Sequence, residues 1–149
     1  PPTAPTPDTG ALSPADRMRH APDMSTVALR FSPAAEHVRT ARLVAVAVAR
    51  RAGLGEDQLD AIRLSVGEMC ARAVRRCGDT GVTEPMLVEV DDAGPRLEIV
   101  VTDSADAAEG DDEYGALALV RGLSDDMDLG DGPGGRGGRV WLSWDRSAD

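Results

Sequence analysis

The chain has 149 residues, 16 basic against 26 acidic side chains, and a formal net charge of −10. This length suits one domain with a hydrophobic core and is too short for two full domains. Because contacts to phosphates need clustered positive charge, the acidic balance argues against a nucleic-acid binder. The sequence contains no run of 18 apolar residues, which a membrane span would need. It does not open with the pattern of a secretory leader. We therefore expect a cytoplasmic protein.

The amino-acid composition excludes two further kinds of functional site. All 16 basic residues are arginine, and the chain contains neither lysine nor asparagine. Such usage is typical of the high-GC coding bias of actinobacteria. Without lysine, the chain cannot form a Schiff base or the lysine contact of a P-loop.

The cysteines and histidines predict neither a disulfide nor a metal site. Cys70 and Cys77 lie seven residues apart on one predicted helix, so about 10 Å separates them along its axis. That separation is too long for a disulfide, and we expect reduced core thiols, as in the cytoplasm. The two histidines, His20 and His37, have no neighbouring Cys or His.

The domain organisation predicts a folded unit over residues 25–145 between two tails. Residues 1–24 are rich in Pro, Thr, Ala and Asp without an apolar period, which predicts a flexible tail. The alternative is a segment that folds onto a partner. Residues 146–149 form the second tail.

The first half of the domain predicts a strand and two helices. Residues 26–31 alternate as a strand does, and a Ser-Pro pair then signals the start of a helix over residues 34–52. A second helix is expected over residues 56–77. Gly53 and Gly78 stand where each helix is expected to end.

The second half predicts four strands and a short helix. Its apolar segments and turns indicate strands over residues 86–90, 97–101, 127–129 and 139–144, a helix over 114–123, an acidic loop over 103–113 and a flexible six-glycine loop over 130–138. Trp141 and Trp144 fall on opposite faces of the last strand, so we expect at least one of them in the core. This order predicts an α+β fold, a two-layer sandwich with helices on one face of a mostly antiparallel mixed sheet.

Four local motifs follow one another in this element order. They are Leu-Ser-Val-Gly-Glu-Met-Cys-Ala-Arg over residues 64–72, Ile-Val-Val-Thr-Asp over 99–103, a glycine-started helix over 115–125, and Gly-Gly-Arg-Val over 137–140. Together they resemble the Bergerat-fold ATPases, the histidine-kinase-like superfamily of gyrase, MutL and the histidine kinases. Within it, the chain is most similar to the RsbW-type anti-sigma factors, which are serine kinases.

The resemblance implies roles for five residues. Glu68 stands at the position of the general base, and Arg72 at that of the asparagine that holds magnesium on the ATP phosphates. Asp103 stands at the position of the adenine-binding aspartate, Gly115 in the second glycine box, and Arg139 at the threonine after two glycines. The last four are the nucleotide-binding candidates.

Arg72 is the main departure from the family pattern. A guanidinium has only donors and cannot coordinate a cation. One interpretation is an ion pair with Glu68, four residues away on the same helix face, which would lower the basicity of that carboxylate. The other is that Arg72 binds a nucleotide phosphate without metal.

The segment after Asp103 departs as well. Ala105 and Ala107 replace the two glycines that allow close approach of the nucleotide. The segment carries many acids that would repel a triphosphate unless metal intervened: Asp103, Asp106, Glu109, Asp111, Asp112 and Glu113. Asp103 itself can accept a hydrogen bond from adenine or be an ordinary solvated aspartate at a strand end.

These departures predict a degenerate ATP site with no cofactor and favour a regulatory protein over an enzyme. The resemblance implies a sigma factor or a STAS-type anti-anti-sigma protein, or both, as partners, and arginines on the helical half suit a binding face. The alternative is an active serine kinase that uses ATP with magnesium and phosphorylates an anti-anti-sigma factor. A third possibility is a self-associating protein such as a homodimer.

Overall fold

The computed structural model describes residues 26–106 and 115–146, and statements about structure concern these residues. The strands are β1 (Thr26–Phe31), β2 (Met86–Asp91), β3 (Arg96–Asp103), β4 (Asp126–Asp131) and β5 (Gly138–Asp145). The helices are α1 (Val38–Arg51), α2 (Glu56–Thr80) and α3 (Ala116–Leu123).

The strands form one sheet in the order β1-β2-β3-β5-β4. Each neighbouring pair of these strands is antiparallel, so the sheet lacks the parallel pair that a mixed sheet would contain. After α3 the chain forms the edge strand β4, and β5 then returns to the place between β3 and β4. The predicted α+β fold is confirmed.

The hydrophobic core lies between one face of the sheet and the three helices. Alternate residues of β3 and β5, such as Ile99 and Leu142, point to this side together with Trp144. Ile62 of α2 and Ile99 are completely buried, and burying such a side chain contributes about 1.5–3 kcal/mol. Trp144 also donates from Nε1 to the carbonyl oxygen of Leu123 at 2.9 Å, which links β5 to the end of α3.

Left-handed glycines decide where the helices end. Gly53 has a φ of 92° and follows α1 as predicted. Helix α2 continues through Gly78 to Thr80, and Gly81 with a φ of 70° forms its end, so the predicted end at Gly78 is wrong. A helix tolerates an internal glycine, whereas a left-handed residue interrupts the backbone bonding pattern.

The glycine-rich segment is more ordered than predicted. β4 extends over Asp126–Asp131, a 3₁₀ turn follows at Pro133–Gly135, and β5 begins at Gly138. The segment is thus a tight connection between two adjacent antiparallel strands rather than a flexible loop over residues 130–138.

The predicted N-terminal tail, all but the first residue of the predicted C-terminal tail, and most of the acidic loop fall outside the described residues. These are residues 1–25, 107–114 and 147–149. Arg146, at the start of the predicted C-terminal tail, donates to the carbonyl oxygens of Asp92 at 2.9 Å, Gly94 at 3.1 Å and Ala52 at 2.9 Å. None of the helices in the described part is both long and apolar enough to cross a membrane.

Both cysteines are free and buried, as expected. Burial raises the pKa of the Cys70 thiol to about 12, and burial together with the nearby Asp103 carboxylate raises that of Cys77.

Since the thiolate is the reactive form, we expect iodoacetamide at pH 8 to leave Cys70 unmodified in the native protein. Mass spectrometry should show rapid modification of both cysteines in urea. Rapid native alkylation of Cys70 would contradict its burial in the core.

Candidate functional site

Helix α2 buries two positively charged side chains. Arg72 is 8% exposed and Arg76 is 6% exposed, and their spacing of four residues places them on one face of the helix. A charged side chain is almost never this buried unless it is paired. This face of α2 must therefore lie against hydrogen-bond acceptors of neighbouring elements.

Arg76 forms a buried ion pair with Asp103 at the end of β3. Its Nε donates to Oδ2 of Asp103 at 3.1 Å and its Nη2 to Oδ1 at 3.4 Å. Nη2 also donates to the carbonyl oxygen of Ala105. A two-point contact between guanidinium and carboxylate is among the strongest and most directional hydrogen-bonded pairs, so it fixes the end of β3 on α2.

This pairing decides what Asp103 can do. Besides Arg76, its Oδ1 accepts a hydrogen bond from the backbone N–H of Ala105 at 2.9 Å, and the residue is only 5% exposed. Asp103 is therefore not a solvated aspartate at a strand end. An incoming amino group would have to share this carboxylate with Arg76 and with the N–H of Ala105.

Two glycines allow Arg76 and Asp103 to approach this closely. Gly137 has a φ of 73°, and a Cβ atom there would collide with the backbone carbonyl oxygen of Asp103. A Cβ atom at Gly138 would lie 2.8 Å from Nη2 of Arg76. The Gly-Gly pair thus makes room for a buried arginine and for the end of β3.

A small cavity beside this pair is lined by arginine. It measures about 240 Å³, and its lining residues are Arg72, Arg76, Leu129, Gly130, Asp131, Gly137, Gly138 and Arg139. The Nε atom of Arg139 is buried and has no hydrogen-bond partner among the described residues. The cavity therefore combines donors with one carboxylate, a composition that suits an anion and not a cation.

Glu68 and Arg72 line different cavities, although they are four residues apart on α2. Glu68 lines a groove of about 490 Å³ between α1 and α2, whereas Arg72 lines the arginine cavity. Within the described residues, the ion pairs do not include Glu68 with Arg72. Arg72 does take part in a polar or electrostatic interaction, and the roles implied for Glu68 and Arg72 stay predictions.

Comparison with known proteins assigns the family. The profile of the family described as "Histidine kinase-like ATPase domain" matches residues 31–144. The chain belongs to this family. A search of curated protein sequences gives no match.

One similar solved structure supports the fold of this histidine kinase-like ATPase domain. It contains the RsbU and RsbW domains of Rv1364c from Mycobacterium tuberculosis, with a TM-score of 0.65 and 17% sequence identity. The match covers 83% of this chain and 33% of that one, so our chain spans about a third of the length of that solved chain. At this identity, the likeness concerns the fold alone.

Three further positions singled out from the sequence are Gly115, Ala105 and Ala107. Gly115 precedes α3 with a φ of 70°, a conformation that favours glycine. Ala105, at a position where the resemblance implies glycine, is completely buried and so occupies space with its methyl group. Ala107 lies outside the described residues.

Sequence reasoning missed Arg76. Its signal was the spacing Glu68, Arg72, Arg76, which repeats every four residues along one helix. Combined with an acid at the end of a buried strand, this spacing could have suggested an ion pair between Arg76 and Asp103. The sequence gives no measure of how close α2 and β3 come, and the pair was therefore not predicted.

Proposed function

We propose that this histidine kinase-like ATPase domain is a cytoplasmic regulatory protein of the RsbW type that works by protein binding alone. Its partners in this proposal are a sigma factor, a STAS-type anti-anti-sigma protein, or both. The buried pair of Arg76 and Asp103 is the observation that carries the proposal. In this pair Arg76 engages both oxygens of the carboxylate on which adenine recognition in the family depends.

Magnesium with ATP does not fit the described site. Magnesium takes oxygen ligands in near-octahedral geometry, but Arg72 and Arg139 offer only N–H donors. The chain contains no asparagine that could supply the missing side-chain oxygen. Among the described residues, no group of three or more His, Cys, Asp or Glu side chains is placed to hold a metal ion.

The first test is a calorimetric titration of ATP into the purified chain, with and without magnesium. We expect no heat of binding and no thermal stabilisation at millimolar ATP, because adenine must compete with a buried guanidinium. An RsbW-type kinase that binds ATP serves as positive control. Magnesium-dependent binding in the micromolar range, about −8 kcal/mol, would contradict the proposal.

Restoring the missing asparagine alone should not restore activity. In Arg72→Asn, the pair of Arg76 and Asp103 remains and Ala105 still fills the glycine position. We therefore expect no gain of magnesium-dependent ATP binding or of phosphate transfer to a serine of a candidate partner, measured with radiolabelled ATP. Strong phosphorylation by this single variant would show that Arg72 was the only block.

The second candidate function is an active serine kinase with metal-free phosphate binding. The arginine cavity favours it, since Arg72 and Arg139 could neutralise phosphate groups. The position of Glu68 in a separate groove counts against it. This alternative requires ATP-dependent phosphorylation of a partner serine that is lost in Glu68→Ala.

The outer surface of α1 and α2 is the proposed partner-binding face. Leu43 is 61% exposed and Leu64 is 45% exposed, and Arg39, Arg42 and Arg63 line the adjoining grooves. Arginine is enriched among the residues that dominate binding energy at protein interfaces, and the exposed leucines add apolar contact area beside it. This composition favours a partner segment that presents apolar and acidic side chains.

Substitutions on this face should abolish partner capture without unfolding the protein. We expect Leu43→Asp and Arg39→Glu to reduce recovery of a sigma factor or STAS protein from a lysate of the native host at least tenfold. Leu119→Asp on α3, where the leucine is 43% exposed, is the matched control and should retain binding. Recovery of neither class by the folded wild-type chain would contradict the proposed function.

A further inference from the structure

One face of the sheet points away from the helices and carries a row of side chains near one end of the strands. Strand alternation places Arg30 of β1, Leu87 of β2 and Thr102 of β3 on this outer face, where they are neighbours in the register. Trp141 of β5 also lies on the outer face, whereas Trp144 belongs to the core. The two tryptophans therefore lie on opposite faces, as predicted.

This row lines a cavity that we call the outer cavity. The cavity measures about 530 Å³, which is within the range of about 300–1,000 Å³ that is typical of small-molecule sites. Pro133 and Arg136, in the connection between β4 and β5, line it as well. The described residues that line the outer cavity are different from those that line the arginine cavity. The two cavities are therefore separate.

Three side chains of the outer cavity offer hydrogen-bond donors that the described part of the chain does not use. The guanidinium groups of Arg30 and Arg136 take part in none of its ion pairs. The Oγ1 atom of Thr102 has no hydrogen-bond partner, and Leu87 and Arg139 flank this residue on the neighbouring strands. An enclosed hydroxyl without a partner costs free energy. A ligand with several acceptor atoms would satisfy all three groups.

The acidic side chains of the outer cavity limit the charge of its ligand. Both oxygens of Asp103 accept from Arg76, and Oδ1 of Asp106 accepts from the backbone N–H of Gly137 at 3.1 Å. Glu84 lines the cavity and is exposed. Two free guanidinium groups can neutralise one dianionic group. A triphosphate would bring more negative charge than they neutralise, beside carboxylates that repel the excess.

We propose that the outer cavity binds a small organic phosphomonoester through Arg30, Arg136 and the hydroxyl of Thr102. A phosphomonoester carries about two negative charges at pH 7 and has several strong acceptor oxygens, and the guanidinium group of arginine suits phosphate. The apolar side chains of Leu87 and Pro133 are available to contact the organic part of the ligand. This inference does not depend on the proposed function.

A calorimetric titration of phenyl phosphate into the full chain tests the proposal first. This probe combines a phosphomonoester with an apolar ring. We expect it to bind about tenfold more tightly than benzoate, which keeps the ring but has a single negative charge, and more tightly than inorganic phosphate, which lacks the ring. Absence of binding at millimolar phenyl phosphate, or an equal affinity for benzoate, would overturn the proposal.

Substitutions of arginine locate the bound phosphate. We expect Arg30→Gln and Arg136→Gln each to weaken the binding of phenyl phosphate about tenfold. Both residues are exposed, so the fold should be unaffected. Arg121→Gln is the matched control, because this exposed arginine lies on α3 at the helical side. Unchanged affinity in both cavity variants would contradict the proposal, and so would a loss of binding in Arg72→Gln alone, which would place the phosphate in the arginine cavity.

Thr102→Val distinguishes a hydroxyl that binds ligand from one that stabilises the fold. Valine keeps the branched shape that suits a strand and removes only the hydroxyl. We expect the affinity for phenyl phosphate to fall about fivefold. Thermal stability should not fall, because this hydroxyl bonds to no group of the described chain. A lower melting temperature with unchanged affinity would show that the hydroxyl serves the fold and is not part of the site.

Discussion

Asp103→Ala is expected to destabilise the domain by about 3–5 kcal/mol, because it removes the carboxylate to which the buried guanidinium of Arg76 donates twice. The two side chains are only 6% and 4% exposed, so water cannot replace the lost partner. Urea denaturation followed by circular dichroism measures the change. A loss of this size is a large part of the total stability of a typical domain.

An exposed ion pair provides the matched control. Asp60 and Arg63 are 2.8 Å apart, and their side chains are 70% and 48% exposed. We expect Asp60→Ala to cost no more than about 1 kcal/mol. If Asp103→Ala and Asp60→Ala had equal effects, the pair of Arg76 and Asp103 would have no special role in holding β3 on α2.

A double variant distinguishes the cost of a lone buried charge from the loss of the ion pair itself. When both charges are replaced, as in Arg76→Met with Asp103→Leu, no buried charge is left alone. Replacing a buried ion pair by apolar residues of similar volume is often neutral or stabilising. We therefore expect the double variant to recover most of the stability that Asp103→Ala loses.

The second large effect is expected for Gly137→Ala, which should cost at least about 3 kcal/mol. A left-handed φ costs a residue with a Cβ atom about 1–2 kcal/mol. At this position the new methyl group would also collide with the backbone carbonyl oxygen of Asp103. β3 and β5 must then separate at the point where Arg76 meets Asp103. Thermal and urea denaturation measure the loss.

Gly134→Ala distinguishes the cost of the left-handed conformation from the cost of the collision with Asp103. Its φ of 72° is nearly the same as that of Gly137, but a Cβ atom there meets nothing within 4 Å. We expect Gly134→Ala to cost only the conformational part, about 1–2 kcal/mol. Equal costs at the two positions would mean that the approach of residue 137 to β3 is not tight.

Both predictions concern the same physical feature. In the described residues, Arg76 donates to both oxygens of Asp103, the residue that the family resemblance assigns to adenine. This pair joins α2 to the end of β3 through the chain's own side chains. We infer that the domain folds without a nucleotide, so added ATP should not change its stability.

Local patterns in the sequence were sufficient to predict most elements. Apolar spacings of three and four residues identify α1 and α2, and alternation identifies β2, β3 and β5, because these periods follow directly from backbone geometry. The end of α2 was predicted three residues early, since Gly78 and Gly81 differ only in backbone conformation.

The site was less predictable. Two of the four motifs, on α2 and at the start of β5, line the arginine cavity, and the absence of asparagine is visible in the composition alone. The partner of Asp103 was not visible, and neither was the separation of Glu68 from Arg72 into different cavities. Each depends on rotation and distance between packed elements, which no spacing along one element specifies.

The sequence by itself determined the two-layer α+β architecture, the family resemblance, and the arginine at position 72, where the resemblance implies an oxygen ligand. Local backbone periods and side-chain chemistry are sufficient for these conclusions. Only the tertiary structure decided that Arg76 pairs with Asp103, 27 residues away, and that Trp141 is buried on the face opposite the helices. Such contacts form because packing brings distant segments together, and their energies depend on a burial that does not exist until the chain folds.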